Sequence, residues 1–70
     1  MTEFSKGDPV EWDSHGRTAQ GEVLRTITSD TEAARRTVRA SKDEPQYLVR
    51  SEKSGREAVH KPGALRRRKG

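Results

Sequence analysis

Apolar residues in this chain fall in short clusters separated by turn-forming residues, and within the clusters they largely alternate with polar ones. Residues 38–65 carry the clearest pattern. Two runs, Gln46–Ser51 and Arg56–Lys61, flank the turn Glu52-Lys53-Ser54-Gly55. On the first run Tyr47 and Val49 share a face, with Leu48 opposite. On the second Ala58 and His60 share a face, with Val59 opposite. Gly55 fits the left-handed position of a hairpin loop. Lys61-Pro62-Gly63 then turns the chain toward one more apolar anchor, Leu65. This reads as the closing half of a small five-stranded barrel.

The chain before Gln46 supplies the other strands. Gly7-Asp8-Pro9 is a turn cue, and Val10 and Trp12 alternate with Glu11 in a strand with one buried face. Pro9 has no N–H and belongs at the strand start or at an edge. Asp13-Ser14-His15-Gly16 is the next turn. Arg17–Ile27 is a long second strand in which Ala19, Gly21 and Val23 share a face, while Leu24 and Ile27 break the period. Gly21 marks a bend or bulge, which lets one strand serve two sides of a barrel. Thr28–Thr37 is polar. Ser29-Asp30-Thr31-Glu32 matches a capping box, but no apolar stripe follows, so a loop with at most one helical turn is predicted. Val38–Ser41 is a short third strand, and Asp43-Glu44-Pro45 turns into the fourth.

Five short strands with Gly-, Asp- and Pro-marked turns predict an all-β barrel or sandwich. The barrel is favoured because it closes its own edges and needs less apolar surface than two layers. It would span residues 1–65, with a basic, disordered C-terminal tail at 66–70.

Composition narrows the stability and the compartment. Of the 70 residues 27% are hydrophobic and 37% charged, close to the regime of disordered chains. Clustering of the apolar residues argues for a minimal core, leaving roughly 3–5 kcal/mol of net stability. Cysteine is absent, which excludes disulfides and thiolate metal sites. The N-terminus has no apolar run, and no stretch approaches the roughly 20 apolar residues of a membrane span. A cytoplasmic monomer without membrane contact is expected.

Charge changes the picture more. Residues 1–34 carry a net −4, and residues 35–70 a net +8. The second half could present a surface to an acidic partner, or the asymmetry could belong to a solvated dipolar surface.

Several segments carry a family resemblance. They are Phe4-x-x-Gly7-Asp8-x-Val10-x-Trp12, Ser14-His15-Gly16, Thr28-Ser29-Asp30-Thr31 and Val38-Arg39-Ala40-Ser41. Asp43-Glu44-Pro45-Gln46-Tyr47-Leu48-Val49, Lys53-Ser54-Gly55 and His60-Lys61-Pro62-x-Ala64-Leu65 complete the set. Together they resemble the hypervirulence-associated protein Tudor-domain family, from about Phe4 to Leu65. The resemblance implies a Tudor-like, SH3-like β-barrel. It implies no particular biochemical activity.

Candidate chemistry is sparse. Asp13, Ser14 and His15 have the residue types of a nucleophilic triad, but neighbours in a turn point apart and a triad requires convergence. His15 and His60 are the only histidines, at a spacing unlike common metal motifs. No enzyme activity, metal or cofactor is expected. Phe4, Trp12 and Tyr47 are the only aromatics. They could form a cage for a methylated cation or a shallow stacking platform, with Trp12 and Tyr47 as the candidate aromatic surface, or they could fill the core. The leading expectation is a small binding module that holds nucleic acid, DNA or RNA, electrostatically through Arg35, Arg36, Arg39, Lys42, Arg50 and Arg56. Arg50 and Arg56 flank the 52–55 turn and could form a positive ridge. The alternative is a protein-interaction module that takes a peptide in a pocket or along a strand edge.

Overall fold

The computed structural model describes residues 4–68. Seven strands form in chain order: β1 (Pro9–Ser14), β2 (Arg17–Ile27), β3 (Thr31–Ala33), β4 (Arg36–Val38), β5 (Gln46–Ser51), β6 (Glu57–His60) and β7 (Arg66–Arg67). A 3-10 turn, Pro62–Ala64, separates the last two. Five strands make one antiparallel sheet in the order β6-β5-β2-β1-β7, and β3 and β4 form a separate hairpin.

The all-β class agrees with the sequence reading. The closed barrel does not. β6 and β7 stand at opposite edges of the sheet, and no ladder joins them among the described residues. β3–β4, placed between β2 and β5 in the chain, pairs only with itself.

β2 carries the curvature. It pairs with β1 through its first half and with β5 through its second. A bulge at Leu24 shifts the register between Val23 and Arg25. Without it Val23 and Ile27 would share a face; the extra residue sends them to opposite sides. Val23 therefore joins Phe4, Val10, Trp12, Tyr47, Val49 and Leu65 in one core cluster. Ile27 joins Val38, Leu48 and Val59 in another. β5 buries both faces, with Tyr47 and Val49 in the first cluster and Leu48 in the second, as its alternation predicts.

Gly21 sits in the middle of the sheet, opposite Val10 on β1 and Ser51 on β5. The bulge predicted at this glycine lies three residues later. What Gly21 provides is space: the Arg50 carbonyl and the edge of the Trp12 indole occupy the position a Cβ would take.

The β3–β4 hairpin replaces the predicted polar loop and takes in only the first residue of the third strand expected at Val38–Ser41; residues 39–41 belong to no strand. Ala34 and Arg35 form its two-residue tip, with φ of 50° and 64°. Such a tip normally carries Asn-Gly, so an Ala-Arg pair gives no sequence signal for it. Both residues sit in a conformation that is costly for L side chains. Replacing Ala34 and Arg35 by Asn and Gly should raise stability by about 1 kcal/mol, read from the denaturant midpoint. An unchanged midpoint would show that the tip is not held in this geometry.

Arg66 and Arg67, predicted to begin a disordered tail, extend the sheet instead. Arg67 lies opposite Val10 and Arg66 opposite Glu11. The Arg68 N–H donates to the Pro9 carbonyl at 3.0 Å. The remaining tail residues, Lys69 and Gly70, lie outside the described residues. Among those described, no helix is long and apolar enough to cross a membrane.

Candidate binding surface

The aromatic surface expected at Trp12 and Tyr47 does not form. Trp12 is 5% exposed, Tyr47 2% and Phe4 5%. Phe4 and Tyr47 meet edge to face at 5.3 Å between ring centroids, inside the first core cluster. A chain this poor in apolar residues uses all three rings as core. No aromatic face is left to cage a methylated cation or to stack on a base.

The charge asymmetry of the sequence is partly cancelled in the fold. β7 brings the C-terminal arginines against the acidic first half. Arg66 reaches Asp13 at 3.1 Å and Glu11 at 3.4 Å, and Arg67 reaches Asp8 at 3.6 Å. Arg68 Nη1 lies 2.8 Å from Glu52 Oε2, an ion pair off hydrogen-bonding angle. Asp13, one of the three triad residue types, is thus paired with Arg66. His15 sits at φ 49° with Gly16 in the tight β1–β2 turn, exposed.

The six candidate cations divide. Arg50 belongs to an ion pair with Glu22 across the β2–β5 ladder, at 3.4 Å. It lies opposite Glu57 on β6, while Arg56 falls opposite Ser51, so the positive ridge expected from Arg50 and Arg56 is replaced by charge alternation. Lys42 stands apart, beside Thr26, Thr28 and Pro45. Arg35 and Arg56 line one groove, with Ala34, Gly55 and Glu57. Arg36 and Arg39 line a second of about 740 Å³, with Thr37, Lys61, Asp43 and Glu44. Among the described residues, Arg35, Arg36, Arg39, Lys42, Arg56 and Lys61 make no ion pair.

These two grooves mark the ends of a single seam. At one end the hairpin tip meets the start of β6; at the other β4 meets Lys61, just after β6. β4 and β6 therefore run in the same direction. Beneath the seam Val38 and Val59 belong to one core cluster, yet the two strands share no ladder. Side-chain hydrogen bonds fix its far wall. Asp30 accepts from the Ala40 N–H at 3.1 Å, and the Gln46 side-chain amide donates to the Arg39 carbonyl at 2.6 Å. Lys61 completes the larger groove; the sequence shows it as a cation but gives no sign that it faces Arg36 and Arg39.

His60 borders this region. Its ring lies 5.4 Å from the Trp12 ring, and its Nε2 is buried without a partner. Burial, and secondarily the positive field of Arg36, push its pKa below the usual 6.5. The unfolded chain then binds a proton more readily than the folded one. Stability is present above about pH 6.5 and declines as pH falls from there through the lower folded value. His60→Gln should flatten this part of the profile in denaturation melts between about pH 7.5 and 5.5. A wild-type profile already flat there would contradict the assignment.

Among the described residues no cluster of three His, Asp or Glu side chains could hold a metal ion. No curated protein and no solved structure matches the chain significantly. A family model does match, over residues 7–65, and it covers every strand of the main sheet except β7. The chain belongs to the family described as hypervirulence-associated proteins, Tudor domain.

Proposed function

We propose that this domain is a non-catalytic binding module whose ligand is an acidic segment of another protein, held along the seam between β4 and β6. The observation that carries the reading is the distribution of unpaired cations. Five of them, Arg35, Arg36, Arg39, Arg56 and Lys61, border the seam's two grooves. Three carboxylates, Asp43, Glu44 and Glu57, stand among them. A surface of interleaved sign with a net positive excess suits a peptide, which can place acidic and neutral side chains one by one. It suits a duplex poorly, because duplex DNA presents a phosphate charge about every 1.7 Å of axis. Burial of Trp12, Tyr47 and Phe4 also removes the stacking faces on which single-strand binding commonly relies.

Nucleic-acid binding keeps one specific support. Arg35, Arg36, Arg39, Lys42 and Arg56 have no ion-pair partner among the described residues and could meet phosphates. The two readings separate in an anisotropy assay with labelled duplex DNA and a labelled glutamate-rich decapeptide. Peptide affinity should fall about 3–10-fold in Arg36→Gln and in Lys61→Gln and survive near-physiological salt. DNA affinity should collapse over the same salt range. Tight DNA binding that persists at that salt would favour the nucleic-acid reading.

A further inference from the structure

The seam has a backbone pattern as well as a charge pattern. The Ser51 N–H donates to the Arg56 carbonyl at 2.9 Å, which makes Ser51–Arg56 a hydrogen-bonded pair. In an antiparallel ladder every second pair shares that phase, so Val49–Ala58 and Tyr47–His60 are hydrogen-bonded pairs too. Glu57 and Val59 are the residues between, and their N–H and C=O groups point away from β5; Glu57 is exposed there, while Val59 is buried in the second core cluster. The hairpin shows the same alternation. Ala33 and Arg36 flank the two-residue tip and form its hydrogen-bonded pair, so Thr37, opposite Glu32, directs its N–H and C=O away from β3. Thr37 lines the larger groove. Among the described residues no backbone bond joins either edge to another strand.

We infer that an acidic protein segment in extended conformation adds as a strand between β4 and β6, antiparallel to both. This rests on the proposed reading that the ligand is a protein segment. The direction follows from the strands. β4 and β6 run the same way, β3 is antiparallel to β4 and β5 is antiparallel to β6, so one inserted antiparallel strand continues the alternation on both sides. The chemistry of the edges selects the occupant. Each offers donors and acceptors in turn, which another backbone matches and a phosphate, an acceptor only, does not. Charge selects the sign: Arg35 and Arg56 stand at one end of the seam and Arg36, Arg39 and Lys61 at the other, against Asp43, Glu44 and Glu57. The added strand would cover an edge that is otherwise open to uncontrolled pairing.

The test uses the full chain. Random decapeptides displayed on phage are selected against it, and the best binder is added to isotope-labelled protein for residue-resolved hydrogen exchange. The selected peptides should be acidic and rich in strand-forming residues. The exposed Glu57 and Thr37 amides should exchange about 10-fold more slowly in the complex, with Ala58, already bonded to β5, little changed. Arg36→Gln and Lys61→Gln, both at exposed positions, should each weaken binding about 3–10-fold without loss of fold. Acidic binders that shift Arg36 and Lys61 but leave Glu57 and Thr37 unprotected would overturn strand addition and leave the protein-segment reading standing. Failure to select acidic peptides, or duplex DNA producing the same protection, would overturn both.

Discussion

Gly21→Ala should leave the chain largely unfolded at room temperature. Gly21 lies where β1, β2 and β5 are joined, and its missing side chain is filled from two directions. A Cβ there would overlap the Arg50 main-chain carbonyl and press on the Trp12 indole. A flexible side chain could move aside, but a carbonyl held in the central ladder can move only if β5 separates from β2. Overpacking of this kind costs about 3 kcal/mol or more. The total for a core this small is roughly 3–5 kcal/mol. Circular dichroism of Gly21→Ala should show a largely lost or strongly lowered thermal transition. A wild-type melt would mean that β2 and β5 are less closely apposed than described.

Trp12→Ala should have an effect of similar size. Trp12 is 5% exposed, packs in the larger core cluster and rests beside the His60 ring. Removing a buried indole costs about 3–5 kcal/mol, most or all of the stability available. The expected amide spectrum is therefore that of an unfolded chain. The consequence reaches function. Loss of binding in a Trp12 or Tyr47 variant would report the loss of the fold, and says nothing about an aromatic ligand site. A folded Trp12→Ala domain that had lost only binding would contradict the core assignment and restore the aromatic surface.

Much of the fold was legible in the sequence because alternation and turn residues coincide there. β1, β2, β5 and β6 follow from Val10 and Trp12, Ala19 to Val23, Tyr47 to Val49, and the pair Ala58 and Val59 with Gly55 before them. Leu48 in the second cluster is likewise what its place in the alternation implies. Three features were hidden for physical reasons. The β3–β4 hairpin turns on Ala34-Arg35, residues that carry no turn signal, so a long polar stretch reads as loop. Arg66–Arg67 reads as tail because a two-residue strand of arginines has no apolar member. It is fixed by pairing with β1 and by Asp8, Glu11 and Asp13, all more than fifty residues away. The closure of the sheet depends on register between distant edges, which local pattern does not encode.

The candidate site was legible only as charge. Arg35, Arg36, Arg39 and Arg56 do border the seam, but Arg50 is bound to Glu22 and Lys42 stands elsewhere. Sequence cannot say which cations a fold neutralises, and here first-half carboxylates take up Arg66 and Arg67. The aromatic surface failed on composition: with three aromatic residues in the chain, the core claims them all.

On the proposed reading, the unpaired cations of the seam receive an acidic protein segment. The most direct measurement is an amide-resolved titration of the isotope-labelled chain at near-physiological salt. The ligands are an acidic decapeptide selected against the chain, random duplex DNA and single-stranded RNA. The peptide should shift residues 35–39 and 56–61 while both nucleic acids leave them close to their free positions. Shifts at those residues with DNA or RNA, and none with the peptide, would contradict it.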